Sequence, residues 1–349
     1  KVAASGSADA TISFSNVMIL DVNSRISLGN NDASGATSNT IFGRLAGAAV
    51  TSGAIDNVLI GNNAGNDITT GDYNIAIGSE AMSKDDVGRG SIAIGASSLG
   101  KQNTASETMV SNIGIGLNAG YYNVTGKDNV YIGGNAGLGS DGNSQDDNIG
   151  IGSNSLKALT SGDGNVAIGR DAGEALTGGG YSVMLGYQAG EATTGTSYHV
   201  LIGREAGSAG DITNHGAVAV GYQALTALTS GSSNTAVGYG SMDATTTGGG
   251  NTAIGYEALG GDTDGDGGDN TAIGHKALLT AVSPSKNVAI GDSAMRVMNG
   301  TANGIADCVA IGANAFYGDA TNTTTGANGT VAIGKDSLKA LTTGAGNVA

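Results

Sequence analysis

Val218-Ala219-Val220-Gly221-Tyr222-Gln223-Ala224-Leu225 and Thr252-Ala253-Ile254-Gly255-Tyr256-Glu257-Ala258-Leu259 are two copies of one phrase, and its reading decides the fold. The glycine of the phrase recurs at Gly61, Gly78, Gly95, Gly116, Gly133, Gly152, Gly169, Gly186, Gly203, Gly221, Gly238, Gly255, Gly274, Gly291, Gly312 and Gly334. Gly29 and Gly43 are weaker copies at the front. The commonest interval is 17 residues, and the others are longer by one to five. A fixed short period marks a repeat architecture in which each unit buries its apolar face on its neighbours. Seventeen residues is too short for a helix pair and suits one turn of a β-coil.

Each position around this anchor glycine has a physical reading. The residue before it is always Ile, Leu, Val or Phe, as at Ile60, Ile77, Leu185, Val220 and Ile333. Three before it stands a β-branched residue such as Val58, Ile75, Val166 or Thr252, and between them usually Ala, as at Ala76, Ala93, Ala167 and Ala253. Neighbours in a strand point to opposite faces, so both faces are apolar and both need cover. We expect Ile77, Ile94, Ile168 and Ile254 to form continuous internal columns. The other face would be covered by a second or third copy of the chain.

Punctuation repeats with the strand. Asn commonly lies four before the anchor (Asn57, Asn74, Asn112, Asn129, Asn165, Asn234, Asn251, Asn287), which predicts an amide ladder between coils. Gly seven before it (Gly71, Gly88, Gly126, Gly162, Gly231, Gly248) predicts a turn with positive φ. Ala or Ser three after it, followed by Gly or a large apolar residue, reads as an inward-packing corner or second short strand. The expected fold is all-β, a parallel β-solenoid of about 17-residue coils, as a homotrimeric rod. Some eighteen coils would span roughly 85 Å. Residues 1–28 read as adaptor or cap strands (Thr11-Ile12-Ser13-Phe14, Ile26-Ser27-Leu28), and 29–349 as the repeat shaft. The chain opens at Lys1, as a processed product would, and Gly346-Asn347-Val348-Ala349 opens a further copy cut in mid-repeat.

Composition agrees. The 349 residues include 63 Gly, 3 Phe, 1 Pro and no Trp, so a large globular core is excluded by the lack of bulky side chains. Collagen is excluded by the missing Gly-X-Y period and the single proline. Fifteen basic against thirty acidic residues, a net charge of −15, argue against nucleic-acid partners and anionic membranes. No stretch approaches the ~18 apolar residues of a membrane span. Cys308 is alone and has no internal disulfide partner.

Little of this sequence reads as chemistry. His199, His215 and His275 fall in separate repeats without ligand-spaced neighbours, and His199 and Cys308 take the place usually held by ladder Asn. Gly178-Gly179-Gly180 lacks the lysine and helix of a phosphate loop, and Asn123-Val124-Thr125 is a sequon expected by chance. We assign no catalytic residue and expect no enzyme. Asp262-Thr263-Asp264-Gly265-Asp266-Gly267-Gly268-Asp269 is the front half of a calcium loop, with Asp262, Asp264, Asp266 and Asp269 as candidate ligands. Ile273 stands where the twelfth-position Glu would be, so a solvated acidic turn is the alternative. A second acidic insertion holds Asp141-Gly142-Asn143, Asp146 and Asp147. No cofactor is required, and Ca²⁺ is the one candidate. Tyr222, Tyr239 and Tyr256 follow their anchors in successive coils, with Tyr187 and His275 in the same column. Such a ladder could stack against glycan rings or simply against itself.

Asn-x-Val-Ala-Ile-Gly followed by Ala resembles the head repeats of trimeric autotransporter adhesins, which form left-handed parallel β-rolls in trimers. Thr252-Ala253-Ile254-Gly255-Tyr256-Glu257-Ala258-Leu259 is more similar to the repeats of phage and environmental tail-fibre-like proteins, as is the leader Leu20-Asp21-Val22-Asn23-Ser24-Arg25-Ile26. The resemblance covers about residues 20–349. It implies an extracellular structural fibre, on a virion or a cell surface, whose shaft spaces a receptor-binding tip. A cell-surface adhesin whose rod itself touches a glycan or receptor is the alternative. A polysaccharide-degrading tailspike would need paired carboxylates along a groove, and the repeat has none.

Overall fold

The computed structural model describes residues 38–349 except 52, 105–107, 196, 263–266, 299–304, 319–325 and 342. The expected cap strands, residues 1–28, and the copy at Gly29 lie outside the described residues. Seventeen three-residue strands, from Thr40–Phe42 and Val58–Ile60 to Val309–Ile311 and Val331–Ile333, form one parallel sheet. Each pairs in register with the strand of the next copy, as in Ile75↔Ile92 and Val218↔Thr235. The chain is therefore a parallel β-solenoid, and at about 4.8 Å per strand the sheet runs roughly 77 Å. Gly261–Asp262, Thr280–Ala281 and Val297–Met298 form a second, three-stranded parallel sheet. No helix occurs among the described residues, so none there is long and apolar enough to cross a membrane.

The strand faces the opposite way from the sequence expectation. Its middle residue fills the coil: Ala76, Ala93, Ala167 and Ala253 are fully buried. Ile77, Ile94, Ile168 and Ile254 do lie in continuous in-register columns, but on the outside, with Ile168 and Ile254 each 40% exposed. The reason is volume. The coil interior is narrow and also receives the corner residues, such as Ala81 and Met82 or Ala258 and Leu259, all buried. A methyl fits beside them; a second β-branched side chain does not.

The same competition sets the residue four after the anchor. Where the middle strand residue is large (Leu59, Tyr131, Met184, Leu201), that corner residue is glycine (Gly65, Gly137, Gly190, Gly207). Where it is Ala, as at Ala219, Ala236, Ala272 and Ala310, the corner supplies Leu225, Met242, Leu278 and Phe316. In most coils one of these two positions thus carries a large side chain; the coil anchored at Gly169, by contrast, has one at neither (Ala167, Gly173), and Leu156 and Met184 of the adjacent coils lie over it instead. Polar residues interrupt this core near Asp85. The Gln102 amide donates to the Asp85 carboxylate, and Asn112 Nδ2 donates to Gln102 Oε1 at 3.0 Å, all of them buried.

Two glycine columns carry the backbone stacking. From Gly43 to Gly334 every anchor has φ between 125° and 142°. A Cβ on Gly78 would overlap the carbonyl oxygen of Gly95, the next anchor. Gly71, Gly162 and Gly231 are glycines for the second of these reasons only. They do not have the positive φ that the sequence suggested; a Cβ on each would instead overlap a carbonyl oxygen of the following coil (Gly88, Gly179 and Gly248). The left-handed turn comes two residues later, at Tyr73, Asp128, Tyr181 and Tyr198, and recurs two and four residues after the anchor.

Candidate functional site

The outward columns of the main sheet form a ridge. One side is Val, Ile and Thr (Val58, Ile75, Val166, Thr252), and the other is mostly Ile (Ile60, Ile77, Ile115, Ile151, Ile202, Ile290). Ile168, Ile254, Ile311 and Ile333 on that side are 37–58% exposed. An apolar strip running the length of a rod is unusual on a free surface, where contiguous apolar patches are small.

The tyrosines flank this ridge. Tyr222 stacks on Tyr239 at 4.9 Å between ring centroids, Tyr239 on Tyr256 at 5.2 Å, and Tyr256 on His275 at 5.3 Å. The Arg204 guanidinium lies 5.6 Å from both the Tyr187 and Tyr222 rings and continues the column downward. His275 is in turn 3.0 Å from Asp292. The flat faces of Tyr222, Tyr239 and Tyr256 therefore cover one another, and the column offers partners ring edges and hydroxyls. A second stack, Tyr181 on Tyr198 at 5.9 Å, was not singled out in the sequence; both rings are more than 60% exposed on left-handed backbone.

The asparagine column is the expected amide ladder, with Asn129 Nδ2 donating to Asn112 Oδ1 at 3.2 Å, Asn165 to Asn148 at 3.1 Å and Asn270 to Asn251 at 2.9 Å, and it is also a splint. Asn57 Oδ1 accepts the backbone N–H of Asn74 at 2.9 Å, and Asn57 Nδ2 donates to the Gly71 carbonyl at 2.8 Å. Asn112, Asn129, Asn148, Asn165, Asn251 and Asn270 do the same for their following coils. Buried backbone groups are thereby satisfied where the chain leaves the strand. His199 holds its place through Nδ1, which accepts the Ala217 N–H at 3.2 Å. Burial, with the nearby His215 adding repulsion, lowers the His199 pKa to about 4. Cys308 donates Sγ–H to the Ala327 carbonyl at 3.2 Å, and burial raises its pKa, so its thiol is packed rather than activated.

Outside, two residues after the anchor, runs an amide column that the sequence signalled only by repeated Asn, Gln and Glu. Asn118 donates to Asn135 at 3.2 Å and Asn154 to Asp171 at 2.9 Å, while Gln223 bonds Glu205 at 2.7 Å. These positions are left-handed, which asparagine tolerates well.

Of the acidic candidates, Asp264 and Asp266 lie outside the described residues, and so does the Asp262 side chain. Asp269 is exposed at a left-handed position, with its N–H on the Gly249 carbonyl at 2.9 Å. In the second insertion, Asp141 pairs with Lys101 at 3.3 Å, and Asp146 accepts the Lys127 N–H at 2.7 Å. Asp141 and Asp146 thus have separate partners. Among the described residues no three His, Cys, Asp or Glu side chains converge as metal ligands would. No protein-family model and no curated protein matches this chain.

Proposed function

We propose that the chain is the non-catalytic shaft of an extracellular homotrimeric fibre, tail-fibre-like, which spaces and presents a receptor-binding tip. The apolar ridge carries this reading. Burying what remains exposed of each outward residue is worth about 0.5 kcal/mol. Two such residues in each of seventeen strands outweigh the roughly 4–15 kcal/mol that association costs. Three parallel copies around one axis would cover the ridge and leave the polar corners in water. The exposed tyrosine edges favour the second reading, an adhesin whose rod meets its partner directly.

Sedimentation equilibrium tests the assembly. The chain should run as a trimer, and Ile151→Lys with Ile168→Lys should yield a monomer that keeps its β signal. A folded wild-type monomer at micromolar concentration would remove the trimer and the shaft reading built on it.

A further inference from the structure

On the corner surface of the coils anchored at Gly61, Gly78, Gly95 and Gly116, clear of the apolar ridge, lies a polar groove of about 240 Å³. Asn63, Glu80 and Ser83 form its sides, Lys84 and Lys101 its rim, and Tyr121 its end wall.

Asn63 and Glu80 belong to the outer amide column, two residues after their anchors. At several other coils neighbours in that column are bonded to each other, as Asn154 to Asp171 and Gln223 to Glu205. Lys276 and Glu257 in it form an ion pair at 3.4 Å. In the groove the bonding stops: the side chains of Asn63 and Glu80 have no partner among the described residues. Their donors and acceptors face solvent in a concavity instead of closing the ladder.

The charges narrow the ligand. Lys84 is paired with Asp67 at 3.0 Å and Lys101 with Asp141 at 3.3 Å, so the positive charges at the rim are each balanced by a carboxylate. What stays unpaired is one carboxylate and one amide, which suits neutral hydroxyls that both donate and accept. At the end of the groove the Tyr121 ring is held in place. A Cβ on Gly100 would lie 2.7 Å from its Cε2, so the glycine lets the ring settle against the backbone. Tyr122 contacts it edge to face at 4.7 Å, and among the described residues no ring stacks flat upon it, unlike the Tyr222 column. An apolar wall beside unpaired hydrogen-bonding groups is the arrangement that orients a small ligand in a site.

We propose that this groove binds a neutral saccharide, its hydroxyls shared by Glu80 and Asn63 and its C–H face against Tyr121. The site is shallow, so affinity per chain is on the order of millimolar, and three copies on one fibre would raise it by avidity. The proposal goes beyond the shaft role and does not depend on it.

Saturation-transfer NMR on the full chain with lactose, maltose, cellobiose and chitobiose, with inorganic phosphate as the anionic control, tests this. Transfer to the ring protons of at least one disaccharide is expected, and phosphate should leave it unchanged. Tyr121→Ala and Glu80→Gln should each weaken binding tenfold or more. Glu80 is exposed and its replacement isosteric, so that variant reads the site even if Tyr121→Ala disturbs the corner. Tyr239→Ala should change nothing. Absence of transfer from all four sugars, displacement by phosphate, or binding that survives Glu80→Gln and Tyr121→Ala but not Tyr239→Ala would each overturn the groove assignment. Sedimentation of the same samples reports the trimer separately.

Discussion

Leu59 occupies the space that a side chain at Gly65 would need: a Cβ there would lie 2.6 Å from Leu59 Cδ2. The pair shows how a repeat with few bulky residues keeps a packed interior. In most coils a large side chain enters from the strand or from the corner, and its counterpart is Ala or Gly. Close-packed interiors tolerate neither a void nor an overlap, so the two positions are tied to each other more tightly than either is to a residue type.

The coil anchored at Gly203 tests this coupling. Leu201→Ala should cost about 2–4 kcal/mol through the cavity it leaves. Gly207→Leu alone should overpack the coil, because a Cβ at Gly207 would lie 3.1 Å from Leu201 Cδ2, and cost about 1–3 kcal/mol. The double variant should recover most of both losses, since Leu225 shows that leucine adopts the same left-handed conformation, φ 54° against 58° at Gly207. Thermal melts of all four proteins decide it, and simply additive losses would refute the coupling.

Anchor glycines should be the least replaceable residues of the chain. At Gly186, φ is 139° and a Cβ would overlap the Gly203 carbonyl. Backbone strain of this kind plus displacement of a whole coil belongs among the large single-residue losses, above about 4 kcal/mol. Gly134, with open space around its would-be Cβ, should accept Ala within about 0.5 kcal/mol. Limited proteolysis after Gly186→Ala should cut near that coil and leave distant coils intact, because each coil contacts only its neighbours. Equal resistance of the two variants would contradict the stacking argument.

Period, strand and parallel register were legible because the anchor glycine and an apolar residue before it repeat without exception, with a β-branched residue three before the anchor in the strand. The direction of the strand was not, since alternation between Ile77 and Ala76 gives two faces without saying which is inside. Side-chain volume resolves it: only the Ala column leaves room for Met82 or Leu99. The asparagine ladder was also visible, but not its second job, because a sequence shows Asn57 above Asn74 and not that an amide can splint a strand to the turn seven residues before the next anchor. The groove went unseen for a related reason. Asn63 and Tyr121 lie three coils apart, and what marks the site between them is the lack of side-chain bonds that several other coils make.

For the acidic insertion, the sequence makes a claim that concerns residues beyond those described. Four Asp within eight positions repel one another, and a bound Ca²⁺ would offset both that repulsion and the ~1 kcal/mol per residue of ordering the loop. Calcium should raise the melting temperature, and Asp264→Ala with Asp266→Ala should abolish the increment. Identical calorimetric curves with calcium and with chelator would leave a solvated turn.

Acidification should act through His199. Its ring is fully buried and its Nδ1 accepts the Ala217 N–H, so the native state holds it neutral, with the pKa lowered to about 4 from the ordinary 6.5. The unfolded chain takes up its proton below pH 6.5, the folded chain only near 4. Stability is therefore unaffected above about 6.5, falls as pH drops through that window, and levels off below 4, with a total loss of about 3 kcal/mol. Asp85 works against this. Burial raises its pKa, so the folded state accepts that proton more readily than the unfolded one and gains stability as pH falls. The two contributions separate by substitution. His199→Asn restores the residue most other coils use and should flatten the decline between pH 6.5 and 4, whereas Asp85→Asn should remove the compensating gain and leave the protein less stable relative to wild type as pH falls. Denaturation midpoints measured across that range in the three proteins give the answer, and a decline that persists unchanged in His199→Asn would place the pH sensitivity elsewhere.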